Sequence, residues 1–197
     1  MDKLVIASNN KGKIAEIKEI LNPFYREIVS LENMGLKLDV TEDGNTFQEN
    51  AIKKAFEAMK ISGCAALADD SGLEVEALGG RPGVYSARFA GEHASDEENN
   101  QKLLALMEGI PAEKRKAAFR CCIAICFPNG RILTAEGSCR GYIGFAPRGD
   151  QGFGYDPLFI VPEYGQTFAE IAPSIKNQIS HRAKAFQALR EKLMRKV

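Results

Sequence analysis

The sequence predicts an α/β fold: a central mixed, twisted sheet flanked by helices (α/β/α), in two lobes with a cleft between them and a long antiparallel hairpin in one lobe. Three observations lead to it. Residues 3–8, KLVIAS, form an apolar run of strand length that leads through a short polar stretch into a helical pattern. Two later helical stretches open on a Thr or Ser followed three positions on by Glu, and each lies between strand-like runs. Residues 117–127 and 131–139 read as two strands joined by the turn signal Pro128-Asn129-Gly130.

Taken in order, Ile14, Ile17 and Leu21 recur at helical spacing within 12–22, and Pro23 with the mixed segment to Val40 closes that unit. Thr46-Phe-Gln-Glu49 caps a second helix, on which Ala51, Ala55, Phe56 and Met59 form an apolar face and which Gly63 ends. Residues 64–68 read as a buried strand running into Asp69-Asp70-Ser71-Gly72, after which Leu73, Val75 and Ala77 alternate with Glu74 and Glu76. On that reading the two aspartates sit at a strand end. Ser95 to Glu98 caps a third helix carrying Leu103, Leu104 and Met107. Beyond the hairpin, a glycine-rich stretch over 140–156 leads to a strand at 158–161. Ser180 then caps a closing helix with Ala183, Phe186, Leu189 and Leu193 inward. No repeat, low-complexity tract or linker-like shift divides the chain, so 1–197 is expected to be a single domain.

Composition narrows the function classes. Hydrophobic residues make up 45% and charged residues 26% of the 197, the mixture of a globular protein with a sizeable core. Lys plus Arg equals Asp plus Glu at 26 each, which removes the positive excess that duplex nucleic-acid binding needs. The apolar run near the N-terminus is too short for a signal or membrane-spanning segment, so a cytoplasmic location is expected. The cysteines, Cys64, Cys121, Cys122, Cys126 and Cys139, are odd in number and lack C-x-x-C spacing, and are expected to be reduced and buried.

Two clusters carry candidate chemistry of a phosphate and metal kind. Ser8-Asn9-Asn10-Lys11-Gly12-Lys13 joins the first strand to a helix, where free backbone N–H groups and the helix dipole suit a phosphate, and Lys13 offers a mobile cation. The same stretch also reads as a polar turn with Ser or Asn as helix cap. It lacks the Walker A spacing, which weighs against an ordinary kinase or ATPase. Glu42, Asp69 and Asp70 are carboxylates from separate segments, suited to Mg²⁺, which takes oxygen ligands and completes its shell with water and phosphates. An Asx turn at 69–72 and a solvated acidic loop at Glu42 remain the plain alternative.

The third cluster is Gly152-Phe153-Gly154-Tyr155-Asp156, followed by Lys176 and by Ser180-His181-Arg182. Aromatic rings on a glycine-rich backbone can stack on a nucleobase, and the polar groups can read its edge. A surface turn with two core aromatics and a plain helix start fits the same residues. No G-x-S-x-G elbow and no Cys/His arrangement supports a covalent nucleophile.

The wording of these stretches, together with Thr46-Phe47-Gln48-Glu49-Asn50-Ala51, Ala68 to Leu73 and Gly79-Gly80-Arg81-Pro82-Gly83-Val84-Tyr85-Ser86-Ala87-Arg88, resembles the inosine triphosphate pyrophosphatase family over nearly the whole chain. The resemblance implies a magnesium-dependent homodimeric hydrolase that cleaves inosine, deoxyinosine and xanthosine triphosphates to monophosphate and pyrophosphate. Carried over by motif, Ser8, Asn9, Asn10, Lys11, Gly12 and Lys13 hold the triphosphate with Lys54, and Glu42 and Asp70 hold Mg²⁺. Asp70 is also the proton acceptor, with Lys13 assisting catalysis, and Ser71 contacts substrate. Phe153, Gly154, Tyr155, Asp156, Lys176, His181 and Arg182 surround base and sugar. Asn9, where many relatives have Gly, and Pro173-Ser174-Ile175 before Lys176 are the departures. The rival from another class is a nucleotide-sensing module that binds without hydrolysis. A second rival performs the same chemistry on other triphosphates.

Overall fold

The computed structural model describes residues 2–8, 14, 17–18 and 21–195. Seven strands form one sheet: β1 (Lys3–Ile6), β2 (Glu27–Ser30), β3 (Ala65–Val75), β4 (Lys116–Cys126), β5 (Ile132–Ile143), β6 (Phe159–Val161) and β7 (Gln166–Thr167), in the order β2-β1-β3-β4-β5-β6-β7. β1 runs parallel to β2 and β3, whereas β5-β6 and β6-β7 are antiparallel, so the sheet is mixed as expected. Helices α1 (Phe47–Ser62), α2 (Asp96–Leu106), α3 (Pro173–Ile179) and α4 (His181–Met194) follow in chain order. Ile14, Ile17, Lys18 and Leu21 also have helical backbone, and Ile17 and Leu21 are buried, in keeping with the predicted spacing.

The chain divides into two compact units, Met1–Asp70 with Cys121–Gly137 and Lys184–Val197, and Ser71–Arg120 with Ser138–Ala183. Strand alternation gives the first unit two buried sheet faces. Leu4, Ile6, Leu67, Ile123 and Ile125 pack with Phe186, Leu189 and Leu193 of α4. Val5, Ala7, Ala66, Ala68 and Ala124 point the other way, against Ala51, Ala55 and Ala58 of α1. Alanines on both sides of the second contact allow a close approach of helix to sheet, whereas the first is filled by large side chains. The second unit has its own core, in which Leu103 and Met107 of the α2 region meet Leu73, Val75, Phe119, Ile143 and Phe159. Phe119 and Phe159 lie 4.7 Å apart between ring centroids, and Phe159 and Phe168 lie 5.1 Å apart.

The helix starts follow local rules. Thr46 Oγ1 accepts from the Glu49 amide at 3.1 Å, but Glu49 Oε2 reaches the Asn45 amide, one residue earlier than a capping box requires. Ser95 and Glu98 complete both halves of theirs. Gly130 turns the hairpin as predicted, and the Phe127 amide donates to the Arg131 carbonyl at 2.9 Å.

The elements that differ from expectation include three strands, besides β7 and α3, which the sequence reading lacks. β3 is a continuous eleven-residue strand, so Asp69 and Asp70 lie within it and not at its end or in an Asx turn. The alternation resumes on the far side of Gly72 because the intervening polar residues keep strand geometry. β5 extends to Ile143, into the stretch read as a glycine-rich loop, because Gly141 allows the neighbouring strand to come close: a Cβ there would collide with the Ile160 carbonyl and the Phe159 ring. β2, Glu27–Ser30, is a four-residue strand inside the segment read as mixed. The five cysteines carry reduced thiols, as expected; Cys64 is partly exposed and the others are buried.

Candidate active site

In the first unit, α1 and β3 bring three predicted residues together with one that the sequence reading assigned no role. The Lys54 Nζ lies 3.0 Å from Asp70 Oδ1 and 3.1 Å from Glu42 Oε2. Asn50, one helical turn before Lys54 and fully buried, donates from Nδ2 to Asp70 Oδ2 at 3.2 Å. Its own Oδ1 accepts from the Gly44 amide at 2.8 Å, which ties the Glu42 loop to the same helix. Both oxygens of Asp70 are therefore held by side chains of α1. A periodic reading of α1 finds Asn50 and Lys54 on one face, but only the neighbouring strand shows what they face.

Burial sets the electrostatics of this cluster. It lifts the Asp70 carboxyl to about 6, against the pull of the Lys54 charge and hydrogen bond and with a further push from Glu42. Burial also works to lower Lys54, but the carboxylates of Asp70, Glu42 and Asp69 outweigh it and hold the ammonium above the ordinary lysine range. A carboxyl near 6 is poised as a proton acceptor at neutral pH. Cys122 is not a competing nucleophile, since burial, with Glu136 and Asp70 adding to it, pushes its thiol up to about 12.

Ser8 follows β1 and is partly buried. Asn9, Asn10, Lys11, Gly12 and Lys13, the remainder of the predicted phosphate loop, lie outside the described residues. Ser71 is the residue after Asp70 in β3 and is partly buried.

In the second unit the predicted base-binding residues also converge. Asp156, nearly fully buried, accepts at Oδ2 from the Phe153 amide at 2.9 Å and from Lys176 Nζ. The Lys176 ammonium stands 5.2 Å from the centre of the Phe153 ring and 5.4 Å from that of Phe168. The Arg182 guanidinium lies 5.8 Å from the Phe153 ring. His181 stacks on Phe119 with centroids 4.8 Å apart and planes at 13°, which places it in a wall of aromatic rings. The Ser180 Oγ accepts from the Ala183 amide and caps α4, as predicted. Tyr155 is buried and donates to the Ser86 carbonyl at 2.8 Å, so it anchors the loop from below. Phe153 alone of the two aromatics is open, at 52% exposure, which leaves a ring face for a planar ligand.

The Ham1 family model matches residues 4–192. This chain belongs to the Ham1 family. Among its relatives, the dITP/XTP pyrophosphatase of Desulforamulus reducens is 59% identical over 193 residues, covering 98% of this chain and 96% of that protein. The dITP/XTP pyrophosphatase of Geobacter sulfurreducens is 53% identical, covering 98% and 97%. The Ham1 protein of Staphylococcus aureus has the same fold, with a TM-score of 0.92 at 42% identity over 99% of this chain and 100% of that one. The mixed sheet and flanking helices expected from the sequence are those of the family.

In this Ham1 family member, three residues near the two clusters have no part in the substrate site as read from the sequence, where 94–100 reads as a dimer, lid or plain surface segment: Asn50, Asp96 and Asn100. Asp96 Oδ2 accepts from the Gly154 amide at 2.6 Å, and Asn100 Nδ2 donates to the Gly154 carbonyl at 2.9 Å. Asp96 reads in sequence as a first-turn acid of α2 and Asn100 as a polar interruption of its apolar face.

Proposed function

We propose that this chain is a nucleoside triphosphate pyrophosphatase that hydrolyses deoxyinosine, inosine and xanthosine triphosphates to the monophosphate and pyrophosphate. The observation that carries the reading is the Glu42-Lys54-Asp70 constellation, in which two carboxylates already gather about a cation. The dITP/XTP pyrophosphatase names of relatives at 59% and 53% identity support the substrate class. The reading takes residues 1–197 as one catalytic domain, working as a cytoplasmic homodimer without nucleic-acid or membrane partners. Among the described residues no helix is long and apolar enough to cross a membrane.

Magnesium fits the residues present. Among the described residues no three His, Cys, Asp or Glu side chains converge on one point, but Mg²⁺ is held through one or two carboxylates, with water and substrate phosphates filling its shell. Glu42 and Asp70 would hold it. When bound, it neutralises phosphate charge and lowers the pKa of associated water.

The chain's own residues divide the remaining work. Asp70 accepts the proton of the attacking water as the oxygen closes on the α-phosphorus, and the bond to the bridging oxygen breaks to release pyrophosphate. Asn50 keeps the second Asp70 oxygen in place. Lys54, released from the carboxylates, balances the negative charge of the phosphates, with Lys13 as a second cation from the loop after β1. Phe153 stacks on the purine, while Asp156 fixes the Lys176 ammonium so that a remaining N–H can meet a 6-carbonyl oxygen. An adenine amino group would bring donor against donor and leave a buried group unpaired, which is worth several orders of magnitude in selectivity.

Hydrolysis in ¹⁸O-labelled water tests the reaction. Label in the xanthosine monophosphate and none in the pyrophosphate is expected; label in the pyrophosphate would place the attack on the β-phosphorus and overturn this account of the chemistry.

A further inference from the structure

Asp96 and Asn100 stand four positions apart on α2, hence on one face of the helix. Their side chains hold the two successive peptide units that meet at Gly154, Asp96 accepting from the Gly154 amide and Asn100 donating to the Gly154 carbonyl. Both bonds span more than fifty residues of sequence, so they fix the 152–156 loop to a rigid element and not to itself. The next grips on the loop are Asp156 on the Phe153 amide and Tyr155 on the Ser86 carbonyl. With Gly154 held at both polar groups, and the Phe153 amide held by Asp156, the backbone that carries the Phe153 side chain is fixed.

Asn100 makes this grip at a cost in stability. It is 8% exposed and its Oδ1 has no hydrogen-bond partner among the described residues. A buried acceptor left unmade is costly, and an apolar side chain of the same shape would avoid that cost while losing the bond to Gly154. Asp96 sits at the surface, yet its bond to Gly154 is among the shorter ones in the protein.

We propose that Asp96 and Asn100 are positioning residues for purine recognition: through the two peptide units that meet at Gly154 they hold the loop so that Phe153 stacks on the base. The proposal rests on the base-pocket reading of Phe153, Asp156 and Lys176 given above.

The test compares Asp96→Ala, Asp96→Asn, Asn100→Leu and Phe153→Ala in steady-state hydrolysis of xanthosine triphosphate with Mg²⁺. Inhibition by xanthosine monophosphate and by pyrophosphate is measured separately. Asp96→Ala and Asn100→Leu are expected to raise KM and the monophosphate inhibition constant by about tenfold, as for loss of one hydrogen bond that places a binding group. The expected kcat stays within about twofold and the pyrophosphate constant stays parental, since neither residue touches the phosphate side. Asp96→Asn, which retains an acceptor oxygen, should return KM toward the parental value. A merely structural role would move both inhibition constants together, and that result overturns the proposal. If Phe153→Ala raises KM while Asp96→Ala does not, the proposal fails and the base pocket stands; if Phe153→Ala leaves KM unchanged, the base pocket itself is wrong. Should Asn100→Leu fail to fold, the Asp96 pair decides alone.

Discussion

Lys54 Nζ and Asp70 Oδ1 lie 3.0 Å apart, and the same ammonium reaches Glu42, so one cation of α1 occupies the place between both carboxylates. A divalent ion and Lys54 then compete for the same oxygens. Lys54→Met should bind Mg²⁺ at least about tenfold more tightly than the parent in the absence of nucleotide, because a like charge near the site is gone. It should also hydrolyse xanthosine triphosphate at least about tenfold more slowly for want of a phosphate counter-charge. Calorimetric titration and initial rates check the two halves; weaker metal binding by the variant would contradict the competition.

The buried carboxyl of Asp70 makes metal-free stability depend on pH. Its pKa is about 6 in the folded chain against 3.8 for the ordinary group, so between those values the native state holds more protons than the unfolded one. Stability from this group is fully present below the lower value and is lost as pH rises through the upper one. Asp70→Asn removes that loss. In EDTA the variant should exceed the parent by on the order of 1–2 kcal/mol above about pH 7, and the two should converge below about pH 4. Urea unfolding at both ends of that range measures it. With Mg²⁺ and substrate the same variant should lose about 10²-fold or more in turnover.

Gly152 is fixed by what surrounds it. Its φ is +80°, and a Cβ there would overlap Asp156 Oδ2 and approach Lys176 Nζ to 3.2 Å. Gly152→Ala should therefore displace the Asp156-Lys176 pair and raise KM for xanthosine triphosphate about tenfold or more, through a lost base contact worth about 1–3 kcal/mol. An unchanged KM in a folded variant would separate this loop from the base.

Lys176 should govern choice among purines more than rate. Lys176→Ala is expected to shrink the ratio of kcat/KM for xanthosine triphosphate over ATP by at least about tenfold, since the donor matched to the 6-carbonyl is gone. Rates on the two substrates, measured side by side, give the ratio; a variant that rejects ATP as strongly as the parent would remove the lysine from the selectivity.

What the sequence revealed was local in origin. The caps at Thr46 and Ser95, the turn at Gly130 and the apolar stripe of the last helix depend on residues a few positions apart, and each lies where periodicity put it. The centre of β3 reads as a turn because Asp69-Asp70-Ser71-Gly72 has the composition of one, whereas in the fold it is a largely buried strand between β1 and β4. β2 is four residues long and partly polar, too short for alternation to show. The titratable site residues stood out through their chemistry. Asn50, Asp96 and Asn100 did not, because their work depends on partners 20, 58 and 54 residues away.

The central claim is the reaction and its selectivity, and product analysis addresses both at once. Purified protein with Mg²⁺ is incubated in parallel with deoxyinosine, xanthosine and adenosine triphosphates, and pyrophosphate is resolved from orthophosphate. Monophosphate and pyrophosphate from the first two, with ATP largely intact, is the predicted result. Orthophosphate release, or ATP consumed as fast as the others, would contradict it.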